Sequence, residues 1–590
     1  MYTPAKHVLC SQLADDLSWL EDHCRRQPDL AAESGKLRLA GSLVRNVLGP
    51  ALEKQPVPPL HIAVVGGAGA GKSTIVNFLC GSVAAEANPQ AGFTRHPVGY
   101  MAADAGFPEP NSILHPLRRL THPTPSSLDE DVFQIRRVPA SGGLLKSFIV
   151  WDCPDMTTWA ATGYVPRLLE VCGLADIIVY VASDERYNDE VPTEFLHLLM
   201  AIGKPVIVVL TKMREPDAAT LVSHFTSEVL SRLPDRSAAV LAVPHLTPVE
   251  LADPVKNASR YRIPILNQVM VLASQPSETR QRIVRTALNH LATGSEGLLA
   301  VARNDLAALE AWRNAVAAGR AEFDARYYRE YLSGERFPRF DEAMVRLLDL
   351  LEVPGVGRVV SGALYVLRTP YRLVKSWVGK ALARPAGSLQ PELPVLERGL
   401  TGWLDGLRAE SLRRADSHPL WNLIRKGFES TLTSGIQGRF DDCLRSLQTA
   451  QVAEVDRISR DIYADLEQHP ARLNSLRGGK LLLDLSGIGS AVALGGINVW
   501  DLVWVPLAAS ATQMLVEFFG KQYVDAQREQ ARKRQQLLAE QHVSGPLADW
   551  LAAWPTTGGS SFERLQQVLH RIPDNIQKIE RVFHGMEGQP

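Results

Sequence analysis

The stretch Gly66-Gly67-Ala68-Gly69-Ala70-Gly71-Lys72-Ser73 fits the pattern G-x-x-x-x-G-K-[ST]. It stands between a short apolar run, His61–Val65, and a helical run from Thr74 to Leu79. Glycines let such a loop wrap with its backbone N–H groups turned toward an anion, and the helix that follows adds positive potential at its N-terminus. In that setting Lys72 reaches the outer phosphates of a nucleotide and the Ser73 hydroxyl ligates Mg²⁺. The competing reading is a Gly-rich turn that merely opens a helix. Strand, lysine, serine and helix in one register argue for the phosphate loop.

Moving outward, β-branched runs alternate with helical stretches. They are Ile62–Val65, Phe148–Trp151, Ile177–Val181, Val206–Leu210 and Ala239–Val243. Apolar runs of this length separated by helices predict a mostly parallel sheet covered on both faces. The second run leads into Asp152-Cys153-Pro154-Asp155, and a phosphate-loop protein needs an acidic residue there to hold the Mg²⁺ shell from the side opposite Ser73. Asp152 is the candidate, with a turn or capping Asp as the alternative. Between these elements, Phe93-Thr94-Arg95-His96-Pro97 places Thr94 in a loop able to close on Mg²⁺ and a terminal phosphate. The run Val206–Leu210 delivers Thr211-Lys212 to the base-binding side.

In this order the motifs G-G-A-G-A-G-K-S, T-R-H-P, D-C-P-D and Thr211-Lys212 resemble those of the dynamin superfamily of large GTPases. Those proteins carry a Gly-rich P-loop, a Thr-Arg-x-Pro switch I and a D-x-P-G switch II. The resemblance spans residues 59–275; beyond them it concerns only the placement of helices before and after the GTPase domain. It implies an α/β P-loop NTPase domain of the GTPase type and GTP with Mg²⁺ as the bound species. By the same resemblance, Gly66 to Thr74 with Thr211 and Lys212 hold the nucleotide. Ser73, Thr94 and Asp152 hold the metal, Lys72 and Thr94 serve hydrolysis, and the stem of Lys212 packs on the base. Homodimerisation through the GTPase domain is also implied.

Three departures qualify the resemblance. Ala68-Gly69 stands where dynamins carry Gln-Ser, so neither side chain can donate to a transition state or orient water, which implies slow hydrolysis or a group supplied elsewhere. Asp155 replaces the D-x-P-G glycine, removing backbone freedom near the γ-phosphate. The T-K-x-D motif reads Thr211-Lys212-Met213-Arg214, so the guanine-reading aspartate is missing; Glu215 and Asp217 are the acids a longer loop would offer. The preference for GTP over ATP therefore rests on switch I and Lys212.

A length of 590 residues predicts roughly three to four folding units. The proposed division is an N-terminal helical segment 1–58, the P-loop domain 59–275 and a large all-α region 276–590, since leucines and valines recur at helical spacing before residue 50 and after 275. With 45% apolar and 22% charged residues, disordered, collagen-like and disulfide-scaffold classes drop out. The 63 basic and 64 acidic residues leave a net charge of −1, which argues against a nucleic-acid partner. Six dispersed cysteines without metal-site spacing read as reduced thiols. An N-terminus broken by Asp15, Asp16, Glu21 and Asp22 reads as no signal peptide, so the expected location is cytoplasmic.

Two segments depart from an ordinary surface. Residues 353–384 carry Arg358, Arg368, Arg372, Lys375, Lys380 and Arg384 with no acid, among Tyr365, Tyr371 and Trp377. Such a stretch suits an anionic lipid surface, or else pairs with acidic helices in the fold. Within 481–519, Asp501 is the one charge between Leu485 and Val516, and each uncharged half is shorter than a spanning helix requires. A helical hairpin results, either dipping into one leaflet or buried in protein. The expected function is a Mg²⁺-dependent, slow GTPase associated with membranes, peripherally or through the hairpin. The alternative is a nucleotide-dependent regulatory or scaffold protein with a buried hairpin and protein partners.

Overall fold

The computed structural model describes residues 6–52, 59–85, 96–105, 113–115, 117–120, 131–139, 143–156, 161–185, 187, 190–233, 238–273, 276–334, 337–351, 392–470, 505–557 and 561–587. Thr94, the basic stretch 353–384 and residues 481–504 lie outside them. Among the described residues no helix is long and apolar enough to cross a membrane.

Among the described residues eight strands form one sheet: β1 (Leu60–Gly66), β2 (Val98–Ala102), β3 (Arg118–Leu120), β4 (Val132–Val138), β5 (Phe148–Asp152), β6 (Ile177–Ser183), β7 (Val206–Thr211) and β8 (Ala239–Val243), in the order β3-β4-β2-β5-β1-β6-β7-β8. The five strands expected from sequence are the contiguous parallel block β5-β1-β6-β7-β8. β2, β3 and β4 join it through an antiparallel β2–β5 pair, so the sheet is mixed. Every residue of β1, β5, β6 and β7 is buried, as strands covered on both faces require. On one face, Ile62, Val64, Val150, Val179 and Val209 pack with Ile75, Val76 and Phe78 of the helix Lys72–Cys80 and with Ile265 and Val269 of the helix Ser259–Leu272. On the other, His61 Nδ1 accepts a hydrogen bond from Trp151 Nε1 at 3.1 Å, tying β1 to β5 near the start of β1. Burial, with the charges of Arg280 and Lys204 adding to it, pushes the His61 imidazole down to about 3, so it is neutral in the fold.

The described residues divide into two compact units, 1–304 with 563–590, and 305–562. This differs from the division expected from sequence. The N-terminal segment is part of the first unit, because helices Lys6–Arg25 and Ala31–Leu43 pack together and the second lies on Ala161–Leu174. There Arg45 Nη2 reaches Glu170 Oε1 at 2.7 Å, and Ser42 Oγ donates to the Glu170 carbonyl at 3.0 Å. The helix Pro276–Leu298 packs against Ala31–Leu43 and stays with the sheet rather than opening the helical region. The C-terminal helix Phe562–Glu587 joins the same unit, where the buried Asp16 carboxylate holds Arg564 at 2.6 Å and Arg571 at 3.1 Å.

Among the described residues the second unit is built of helices. Its core contains Trp312, Phe340, Leu347, Trp421, Ile424, Phe440, Ile462 and Leu551. Inside it, Glu392 accepts from Tyr327 Oη at 2.7 Å, Gln451 Nε2 at 2.8 Å, Gln535 Nε2 at 2.9 Å and Arg339 Nη2 at 2.9 Å, so a buried charge is fully partnered. The helix Val505–Phe519, the described part of the expected hairpin, packs on Pro338–Leu350. Its Leu507, Ala508, Ala511, Met514 and Leu515 recur at helical spacing and are buried in this core. For these residues the protein-buried alternative is the one observed.

Candidate nucleotide site

β1 ends at Gly66, and a side chain there is impossible without moving a strand: a Cβ would lie 2.2 Å from the Val181 carbonyl oxygen of β6. The close approach of β1 to β6 is therefore written into the first residue of the loop. Gly67, Ala68 and Gly69 turn, with the Ala70 N–H donating to the Gly67 carbonyl at 3.3 Å. Gly71 adopts φ +90°, which a side chain resists, and releases the chain into the helix that begins at Lys72. The loop thus meets the helix N-terminus as the motif demands. Thr74 lies half-buried in the first helical turn.

Lys72 is buried under its own loop. Its Nζ donates to the Gly67 carbonyl at 3.0 Å and forms an ion pair with the Asp155 carboxylate. Ser73 Oγ donates to Asp152 Oδ2 at 3.0 Å, bridging the P-loop helix to the end of β5 across a sequence separation of 79 residues. Asp152 Oδ1 is buried with no hydrogen-bond partner among the described residues. Burial pushes the Asp152 carboxyl up to about 6, against the opposing pull of Lys72 and the Ser73 hydrogen bond.

This pairing tests the fit of Mg²⁺. A hydroxyl and a carboxylate side by side, one carboxylate oxygen still without a partner, are a hard-oxygen donor set of the kind a small divalent cation takes. Ser73 and Asp152 fit; Thr94, expected as a third contributor, lies outside the described residues.

Thr211 ends β7, and its Oγ1 donates to the Ala70 carbonyl at 2.6 Å, fastening the base-side loop to the P-loop. Lys212 follows at φ +63°, a left-handed conformation that costs a non-glycine residue about 1–2 kcal/mol. It is held there by neighbours on both sides. The Lys212 N–H donates to the Val243 carbonyl at 3.3 Å, Met213 is buried, and the His245 N–H donates to the Met213 carbonyl at 2.9 Å. The exposed Lys212 side chain then lies over the loop, its Nζ 4.0 Å from where a Cβ on Gly69 would sit. Of the two acids considered for base reading, Asp217 accepts from Arg214 Nε at 2.7 Å, and Glu215 accepts from Tyr261 Oη at 3.0 Å and pairs with Arg260 at 3.1 Å.

The structure therefore brings together the loop, Lys72, Ser73, Asp152, Thr211 and Lys212. Sequence reasoning missed two features, the engagement of Lys72 by Asp155 and the left-handed backbone at Lys212. The replacement of a motif glycine by an acid was the available signal for the first. Nothing in the local sequence marks the second.

Residues 61–212 match the family model described as a 50S ribosome-binding GTPase. Among solved structures, the chain is similar to Era in complex with MgGDPNP and a segment of 16S ribosomal RNA, at 19% identity over 35% of this chain and 57% of that one, TM-score 0.23. It is similar to an Aquifex aeolicus Era variant bound to GDP·AlF4⁻, at 22% identity over 34% of this chain and 56% of that one, TM-score 0.22. A third similar chain comes from an oligomerised bacterial dynamin pair described as sensing and tethering membranes, at 11% identity over 93% of this chain and 95% of that one, TM-score 0.39. The match spans just over half the length of the two Era chains. No curated protein matches this chain. The expected GTPase domain is met by the family match.

Proposed function

We propose that this chain, which carries a P-loop GTPase domain, is a Mg²⁺-dependent guanine-nucleotide switch that hydrolyses GTP slowly and couples its nucleotide state to association with a membrane surface. The observation that carries the nucleotide half is the Ser73–Asp152 hydrogen bond, which joins the P-loop helix to the strand end leading into switch II. Gly66 to Thr74 would cradle the phosphates, Ser73 and Asp152 would hold Mg²⁺ with Thr94, and Thr211 with Lys212 would shelter the base. When bound, the metal supplies charge neutralisation on the phosphates; Lys72 positions the phosphate chain. Ala68 and Gly69 bring no donor side chain, which supports slow turnover. Titration calorimetry with GTP, ATP and their diphosphates on the wild type and Lys72→Ala tests this half. Equal GTP and ATP affinities would reject the guanine assignment, and unchanged affinity in the variant would reject the site.

The membrane half is supported by six basic residues without an acid in 353–384, each worth on the order of 1 kcal/mol at an anionic surface. The proposed location is cytoplasmic and membrane-peripheral. Failure to bind anionic liposomes at low salt, with and without a non-hydrolysable GTP analogue, would sink it. The net charge of −1 supports a protein without a nucleic-acid partner, and ribosomal RNA binding at physiological salt would overturn that.

One observation favours a second reading, a regulatory or scaffold protein with protein partners. One face of the helix Val505–Phe519 is buried in the helical unit, as in an internal segment. Deleting 481–519 separates the two. An internal segment predicts an insoluble product, whereas a lipid-directed one predicts a soluble nucleotide binder.

A further inference from the structure

Asp155 stands where the resembled motif has a glycine, and its carboxylate is the ion-pair partner of Lys72. The side chains of Lys72 and Asp155 are only 5% and 8% exposed, so water screens the pair little. The contact is built by the backbone: past the end of β5 the Cys153 N–H donates to the Val64 carbonyl at 3.3 Å, and the Met156 N–H to the Gly66 carbonyl at 3.4 Å. These two bonds prolong the β5–β1 alignment and carry Asp155 onto the root of the phosphate loop. The lysine that a phosphate chain requires is thus already neutralised by an anion from the chain itself.

We propose that Asp155 is an internal anionic ligand of the P-loop lysine that sets the phosphate-number preference of the site, disfavouring nucleoside triphosphate relative to diphosphate. This rests on the reading of the loop as a nucleotide site. A bound phosphate chain must draw Lys72 away from Asp155 or share it. A third phosphate brings further negative charge toward switch II, where a fixed carboxylate repels it in a water-poor setting. A diphosphate brings one phosphate fewer against that charge. In the absence of nucleotide the pair also keeps Lys72 from being an uncompensated buried cation.

The test is titration calorimetry of the full chain in Mg²⁺ buffer with GDP and a non-hydrolysable GTP analogue, on the wild type, Asp155→Asn and Asp155→Gly. The second variant serves if the first does not fold. The wild type should bind GDP more tightly than the analogue. Removing the carboxylate should raise the affinity for the analogue relative to that for GDP by about 10-fold or more. An unchanged analogue-to-GDP ratio, or weaker analogue binding in both variants, overturns the latch while leaving the nucleotide site standing. A wild type and variants that bind neither nucleotide overturn both.

Discussion

Lowering the pH from 7 to 5 should weaken the sheet that carries the phosphate loop, and His61 should account for about 2 kcal/mol of that loss. The folded imidazole is held down to about 3, against an ordinary value of 6.5. Between those limits the unfolded chain binds a proton that the folded chain refuses. Stability is therefore fully present above 6.5 and falls as the pH drops through it, by about 1.4 kcal/mol per unit, until the folded imidazole itself titrates near 3. His61→Asn isolates this contribution, because the amide oxygen can sit where Nδ1 now accepts from Trp151 and the side chain does not titrate. The assay is hydrogen exchange of amides in β1 and β6, corrected for intrinsic rates, at both pH values in both proteins. Carboxylate contributions cancel in the double difference. The wild type should lose about 2 kcal/mol more protection than the variant. Equal losses, within about 0.5 kcal/mol, would refute a neutral buried His61.

Gly66→Ala should lower the melting temperature and abolish GTP binding together, since its Cβ would meet the Val181 carbonyl at 2.2 Å; retained binding by calorimetry would show that β1 and β6 can part. Ser73→Ala should weaken Mg²⁺-dependent GDP binding by at least about 10-fold while leaving the metal-free affinity little changed, read by titration with and without chelator. Lys212→Gly should stabilise the first unit by about 1 kcal/mol through relief of the left-handed backbone, yet weaken nucleotide binding; a loss of both would mean the backbone is not strained. Leu515→Ala should cost about 2–5 kcal/mol in urea unfolding of the helical unit without any lipid present, and no change would place that helix outside the core.

Much of the fold was legible because its central strands are unambiguous. Runs such as Ile177–Val181 and Val206–Leu210 are apolar on both faces, and only a covered parallel sheet accommodates them. The three strands missed are those without that pattern. In β4 the exposed Arg136 and Arg137 follow Ile135, and β3 is only three residues long, so neither stands out from loop. The compact units differ from the expected division for a related reason. Pro276–Leu298 has the same amphipathic period as the helices after it, and periodicity marks a buried face without naming what covers that face.

The phosphate loop, the acid at the end of β5 and the threonine-lysine pair are readable from the chain alone, because each is a local pattern tied to a strand end or a helix start. Tertiary structure alone decided what those groups do to one another. Ser73 meets Asp152, Thr211 fastens the loop at Ala70, and Lys72 is claimed by Asp155 across 83 residues of chain. Such contacts depend on strand order and on backbone bonds between neighbouring strands. A linear motif carries the chemistry of its residues but not the partner each will find once the sheet has closed.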